Sequence, residues 1–289
     1  MIQSRLSHVM VGRESGVYRM AYREWGDAAN PRVLVCAHGL TRNGRDFEQL
    51  AQALARDYRV VAPDVVGRGE SEWLRDPMGY QLPFYVQDML VLIARLNASS
   101  VDWLGTSMGG LIGMLLASMP GTPVRRIVLN DVGPVLAAAA LARIGEYVGK
   151  APPFHTREAA TDYIRAISAP FGPHNEEQWA FLADVMLKPD DGRGWRLNYD
   201  PGIAVPFQQA SGTGADIDLW PLYDRIVGPA LLTRGAQSDL LSVDVACAMS
   251  ERGPKARWVD FDGVGHAPTF LHADQIQVVV DFLREGRPD

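Results

Sequence analysis

Ser107, in the run Gly105-Thr106-Ser107-Met108-Gly109, has a setting that can turn an alcohol into a nucleophile. A strand-like run, VDWLG, precedes it and a helical period follows from Met108 to Ser118. Glycines two positions to either side leave room for a sharp strand-to-helix turn, which lifts the hydroxyl above a sheet. The helix start then aims backbone N–H groups at the space over it. An alcohol needs a base. Of the six histidines, His266, in GVGHAP just past the last strand-like run, stands where sheet strands end and ligands bind. His38 also closes a strand-like run but directly precedes Gly39, and reads as a local hydrogen-bonding residue. The third member must be a carboxylate that holds the imidazole in one tautomer. Asp239, in RGAQSD, follows the strand before the one leading to His266, so the chain order is Ser107, Asp239, His266. Asp131, closing the run VLND, is the competing acid and reads as a turn residue bonded to backbone.

Positioning those side chains takes strands and helices in alternation. Strand-like runs at Val33 to Ala37, Arg59 to Ala62, Val101 to Gly105 and Arg126 to Asn130 are separated by helical periods in RDFEQLAQALARDY, PFYVQDMLVLIARLN and the segment after Ser107. This alternation predicts an α/β fold, a mostly parallel central sheet with helices on both faces. Ser7 to Val11 and Val17 to Trp25 alternate like an antiparallel hairpin at one sheet edge. From Val135 to about Tyr223 the chain reads as largely helical without a buried strand, with candidate helices in LAAAALARIGEYVG, TREAATDYIRAISAP and EEQWAFLADVMLK. Strands resume at Ala230 to Thr233 and Arg257 to Phe261, and a last helix runs from about Asp274 to Arg284. Such an insertion far exceeds the roughly 2–6 residues of an ordinary connection. The expected division is a core of residues 1–133 and 223–289 and a helical cap of 134–222. The cap also holds Phe154, Phe171, Phe181, Met186 and Phe207, and with Trp179 and Trp195 as candidates these supply enough apolar surface to line a substrate pocket. Arg42, after the His38-Gly39 step, is a candidate contact for a polar or carboxylate-bearing substrate.

Composition narrows the function classes. At 47% hydrophobic and 21% charged, the 289 residues can bury a large core. A net charge of −6 without a dense basic stretch gives no footprint for nucleic acid. Two cysteines, Cys36 and Cys247, make neither a disulfide framework nor a zinc site. The first residues lack the apolar stretch of a signal peptide, and no run of about 18 apolar residues is present to span a membrane. The expectation is a soluble, cytoplasmic protein with no membrane or nucleic-acid partner.

From His38-Gly39 through DVVGRGES at Asp64 to Ser71, the Ser107 turn and Asp239, to Gly265-His266, the chain resembles a serine α/β-hydrolase of the esterase type. The resemblance implies an α/β-hydrolase fold with an inserted cap, and hydrolysis of a small-molecule ester through an acyl-enzyme, with no metal or organic cofactor. It implies Ser107 as nucleophile, His266 as general base and acid, and Asp239 as the orienting acid. The backbone N–H groups of Leu40 and Met108 would form the oxyanion hole. Asp64 and Arg68 would fix a loop. Some relatives of this fold supply the acid from the strand that Asp131 ends. Haloalkane dehalogenases and epoxide hydrolases resemble the chain elsewhere but place an aspartate at the nucleophile position. Carbon–carbon bond hydrolases of the meta-cleavage-product type share the triad, yet their glycine-rich segment is replaced here by HGLTRNGRDF. Perhydrolase chemistry uses the same triad. A poorly hydrolytic ligand receptor is the reading from a different class, separable by burst kinetics on a p-nitrophenyl ester.

Overall fold

The apolar runs form the middle of an eight-stranded sheet. In the computed structural model, which describes residues 2–14, 16–150, 152–211 and 214–285, a hairpin of β1 (Arg5–Arg13) and β2 (Gly16–Trp25) opens the chain. Then follow β3 (Val33–Ala37), α1 (Glu48–Leu54), β4 (Arg59–Pro63), α2 (Leu82–Arg95), β5 (Val101–Thr106), α3 (Met108–Ala117) and β6 (Val124–Asn130). The next stretch holds β7 (Val135–Leu136), α4 (Ala138–Tyr147), α5 (Arg157–Ile167) and α6 (Glu176–Met186). It continues with β8 (Leu187–Pro189), β9 (Trp195–Leu197), α7 (Ala204–Ser211), β10 (Ile217–Asp218) and α8 (Trp220–Tyr223). The chain closes with β11 (Ala230–Gly235), α9 (Val243–Glu251), β12 (Arg257–Phe261) and α10 (Ala273–Arg284).

The sheet order is β1-β2-β4-β3-β5-β6-β11-β12. β1 and β2 pair antiparallel, β2 pairs antiparallel with β4, and the remaining pairs are parallel. This is the mostly parallel central sheet that the alternation of strands and helices predicts. All five residues of β3 are buried, as expected of a parallel strand covered on both faces. On one face α2 sets Tyr85, Val86, Met89, Leu92 and Ile93 against the sheet, on a helical stripe. On the other, α1 and α10 bury Leu50, Leu54, Val279, Val280 and Leu283.

Register brings the functional loops to one edge. Ala37 stands opposite Gly105, Thr106 opposite Asn130, Asn130 opposite Thr233, and Gly235 opposite Phe261. The loops after β3, β5, β6, β11 and β12 therefore leave the sheet at one level. The stretch between β6 and β11 adds no strand to this sheet. It is not wholly helical, however: β7 pairs with β10 and β8 with β9 in two small ladders.

The turn after β4 is held by its own carboxylate. Asp64 is buried, and its oxygens accept from Gly44 N–H at 2.7 Å and Glu70 N–H at 2.9 Å. Burial pushes its carboxyl up to about 6 against those two stabilising bonds. Asp64→Asn would turn an amide donor toward one of these N–H groups. It is expected to cost about 1–3 kcal/mol, seen as a melting temperature several degrees lower; an unchanged melting temperature would contradict this account.

Candidate active site

Ser107 sits between β5 and α3 with φ 51° and ψ −115°, a left-handed conformation that costs a non-glycine residue on the order of 1–3 kcal/mol. Its N–H donates to Asn130 O at 3.0 Å, and its carbonyl accepts from Gly110 and Leu111 N–H at 2.9 and 3.1 Å. The glycines are steric requirements. A Cβ on Gly105 would collide with the backbone of Gly109, and one on Gly109 with the carbonyl of Ala37. The helix is also clamped to the sheet where Trp103 Nε1–H donates to Gly109 O at 3.0 Å.

His266, in the loop after β12, brings Nε2 to 3.0 Å from Ser107 Oγ. Its Nδ1 lies 2.6 Å from Asp131 Oδ2. The loop is fixed by Gly265 N–H on Pro170 O, Gln237 N–H on Val264 O at 2.8 Å, and Asn130 Nδ2–H on Pro268 O at 2.9 Å. Asp131 is fully buried directly after β6, and two further donors satisfy its carboxylate: Gly235 N–H at 3.0 Å and Ser238 Oγ–H at 2.7 Å. A buried carboxylate needs such partners, because an unpaired charge there would be very costly.

The acid facing His266 is therefore Asp131, which corrects the expectation of Asp239. The side chain of Asp239 is 52% exposed and accepts from Arg143 Nη2 at 2.9 Å. In the RGAQSD loop Ser238 points inward, its hydroxyl also accepting from Leu241 N–H at 3.1 Å, and the next side chain points outward. Strand order supplies the rest of the reason. β6 lies directly beside β5, so Asp131 starts one strand closer to Ser107 than the β11 loop does. The left-handed backbone of Asp131, φ 54°, turns its side chain toward the imidazole instead of into the following loop.

Leu40, Ser107 and Met108 line one shared space. The Leu40 loop is held from below by Arg68, which is fully buried and donates to Leu40 O at 2.8 Å, Val66 O at 2.7 Å and Tyr85 Oη at 2.9 Å. Its guanidinium also lies over the rings of Tyr85 and Tyr80. Val65 N–H donates to His38 Nε2 at 2.9 Å, so Nδ1 carries the proton and donates to Gly39 O at 2.7 Å. Burial holds that imidazole neutral, down to about 3.

Two cavities meet at Ser107. One, of about 130 Å³, includes His266, Arg42, Phe171 and Arg143; the other, of about 300 Å³, includes Met108, Leu111, Leu136 and Phe207. Ile144 of α4 belongs to both. Arg42 lines the smaller cavity, but Trp179 and Trp195 line neither. Trp179 stacks on His174 at 5.0 Å between ring centroids, and Trp195 carries Arg157 over its face at 5.4 Å. Of the cap's other aromatic and apolar side chains, Phe171, Phe181 and Met186 line the smaller cavity and Phe207 the larger, with Ile144 in both. Among the described residues, no group of three or more His, Cys, Asp or Glu side chains is placed to hold a metal ion, and no helix is long and apolar enough to cross a membrane.

The chain belongs to the alpha/beta hydrolase fold family, which matches residues 32–273. It is a hydrolase of that family, with ester-hydrolysing relatives. The chain is 53% identical over 285 residues to a 3-hydroxybutyrate-oligomer hydrolase of Cupriavidus necator, the match covering 96% of this chain and 97% of that protein. A pimeloyl-(acyl-carrier protein) methyl ester esterase of Photobacterium profundum is 26% identical over 268 residues, or 90% and 98% of the two chains. Among solved structures, an alpha/beta hydrolase from Novosphingobium aromaticivorans superposes with a TM-score of 0.87 at 36% identity, covering 98% of this chain and 99% of that one.

Because Gly109 has backbone against its missing Cβ, Gly109→Ala must push α3 off the sheet. The expected cost is at least the roughly 1–3 kcal/mol of overpacking, read as a lowered melting temperature together with poor soluble yield. A variant as stable as the parent would show that the crossing tolerates a side chain.

Proposed function

We propose that this chain is a serine hydrolase that cleaves the ester bonds of 3-hydroxybutyrate oligomers through an acyl-enzyme. The observation that carries the chemistry is the unbroken hydrogen-bonded series from Ser107 Oγ through His266 to Asp131. The substrate is supported by the 53% identity to the Cupriavidus necator hydrolase over nearly the whole of both chains.

An ionised Asp131 can only accept, so Nδ1 of His266 carries a proton and Nε2 presents its lone pair to Ser107. His266 takes the hydroxyl proton as Ser107 Oγ attacks the ester carbonyl. The oxyanion that forms is met by the N–H groups of Leu40 and Met108, each worth about 2.7–4 kcal/mol in comparable sites. His266 then returns the proton to the leaving alkoxide, the C–O bond breaks, and an ester on Ser107 remains. Water, deprotonated by the same imidazole, hydrolyses it. The Gly235 and Ser238 donors keep Asp131 in register with the ring throughout. Residues 134–222 act as the cap, enclosing the ester over the strand ends.

The test is a pair of variant comparisons on the 3-hydroxybutyrate trimer. Ser107→Ala should lose activity by a factor on the order of 10⁶ while remaining folded, by comparison with other triad serines. A folded variant keeping more than a few per cent would end the reading. Asp131→Asn should lower kcat by about 10⁴, whereas Asp239→Asn should leave kcat within a few-fold. If Asp239→Asn proved the more damaging, the orienting role would pass to the exposed acid.

A further inference from the structure

The two cavities that meet at Ser107 differ in charge. The smaller contains Arg42, Asp46, Arg143, Asp239 and His266. The larger has no Asp, Glu, Lys, Arg or His among its described lining residues. The ester under attack must lie across this boundary, with one half in each chamber.

The position of His266 decides which half goes where. The imidazole delivers its proton to the leaving alkoxide, so the alcohol half lies on the histidine's side. His266 lines only the charged chamber, whereas Met108, an oxyanion donor, lines only the apolar one. The alcohol half therefore occupies the charged chamber of about 130 Å³, and the acyl half the apolar chamber of about 300 Å³.

Within the charged chamber, Arg42 has unused capacity. Its side chain is 10% exposed, and Nε and Nη2 donate to Asp46 at 2.8 and 2.5 Å along one edge of the guanidinium. Nη1 is buried and has no hydrogen-bond partner. Asp46 thus occupies the side of the fork and leaves the end, where a carboxylate binds through two parallel bonds. Phe171 lies against the guanidinium at 5.6 Å. Arg143, across the chamber on α4, is a second cation, held by Asp239 at the rim.

We propose that the charged chamber reads a free carboxylate on the alcohol half of the ester, through Arg42 with Arg143 in support, so that the enzyme removes single hydroxyacid units from the carboxyl end of an oligomer. A linear hydroxyacid oligomer has one neutral hydroxyl end and one anionic carboxyl end. Cleavage at its last ester makes the carboxylate-bearing unit the leaving alcohol and leaves the neutral remainder as the acyl group on Ser107. The bond broken is the ester C–O. The proton from His266 completes the free hydroxyl of the released unit, and water later releases the acyl remainder. The small charged chamber suits one unit, and the larger apolar chamber the neutral chain.

This inference rests on the serine-esterase reading, and the experiment separates the two. Wild-type enzyme is given the 3-hydroxybutyrate dimer as the free acid and as its terminal carboxamide, which matches it in size and lacks the charge. Cleavage of the internal ester should favour the acid at least tenfold in kcat/KM. Acetylating the hydroxyl end should change the rate only a few-fold. A trimer carrying ¹³C in its carboxyl-terminal unit should release the label first as monomer. Arg42→Met should bring the acid-to-amide ratio close to one; because this arginine also braces its loop, the wild-type comparisons stand without it. Equal rates on acid and amide, or label appearing first in dimer, would overturn the proposal. Ser107-dependent hydrolysis of p-nitrophenyl butyrate would then leave the esterase reading standing. Failure to hydrolyse both that ester and the oligomers would remove the esterase reading, and the proposal with it.

Discussion

The crossing of β5 and α3 constrains everything built above it. Three glycines, Gly105, Gly109 and Gly110, let the helix approach the sheet until backbone touches backbone. Only there can a chain leaving a parallel strand turn into a helix within one residue, and that residue, Ser107, takes the left-handed conformation that results. The strain is tolerated because both sides of the turn are fixed: Ser107 N–H is held on Asn130 of the neighbouring strand, and α3 by Trp103. A serine raised this way has its hydroxyl above the sheet and the first N–H groups of α3 beneath the space in front of it.

The loop on the opposite side of that space needs a different solution, since it has no helix to stiffen it. It is held by buried polar groups that find their partners on the chain itself. Asp64 gathers two backbone N–H groups, His38 bridges Val65 and Gly39, and Arg68 donates to Leu40 O. Arg68 is a fully buried cation with no ion-pair partner among the described residues. Carbonyls, a phenol oxygen and two tyrosine rings together offset the loss of water around it. The Leu40 loop is thus pinned by buried hydrogen bonds before any ligand arrives, a prerequisite for the oxyanion role proposed for its N–H.

The long stretch between β6 and β11 covers the edge where Ser107 and His266 meet. Its residues sit over the strand ends because the chain leaves β6 at the edge where Ser107 and His266 lie, and only afterwards crosses to the start of the parallel β11. It touches the histidine loop directly, through Pro170 O on Gly265 N–H and through His174 on Thr269 Oγ1 at 3.0 Å. Ile144 divides the space beneath it. One helix, α4, thereby contributes both the wall between the chambers and, in Arg143, a charge for only one of them.

The sequence by itself determined the alternation of strands and helices, the turn that carries Ser107, and the histidine placed to serve it. Those features are written in local patterns: a glycine that admits no Cβ, an apolar run of strand length, a helical period. The hairpin edge and the long insertion were legible for the same reason. Which acid faces His266 was not, because Asp131 and Asp239 both follow strands that end at the same sheet edge and both fit the chain order. Only the lateral order β5-β6-β11-β12 and the outward turn after Ser238 separate a fully buried Asp131 from an exposed Asp239. The lining of the pocket was only partly legible. Trp179 and Trp195 have the right chemistry, but whether an aromatic side chain faces a cavity depends on how its helix or strand docks, and docking is settled by contacts between residues far apart in the chain. Tertiary packing set Trp179 against His174, packed Trp195 against the core and Arg157, and placed Ile144, Phe171 and Phe207 around the serine.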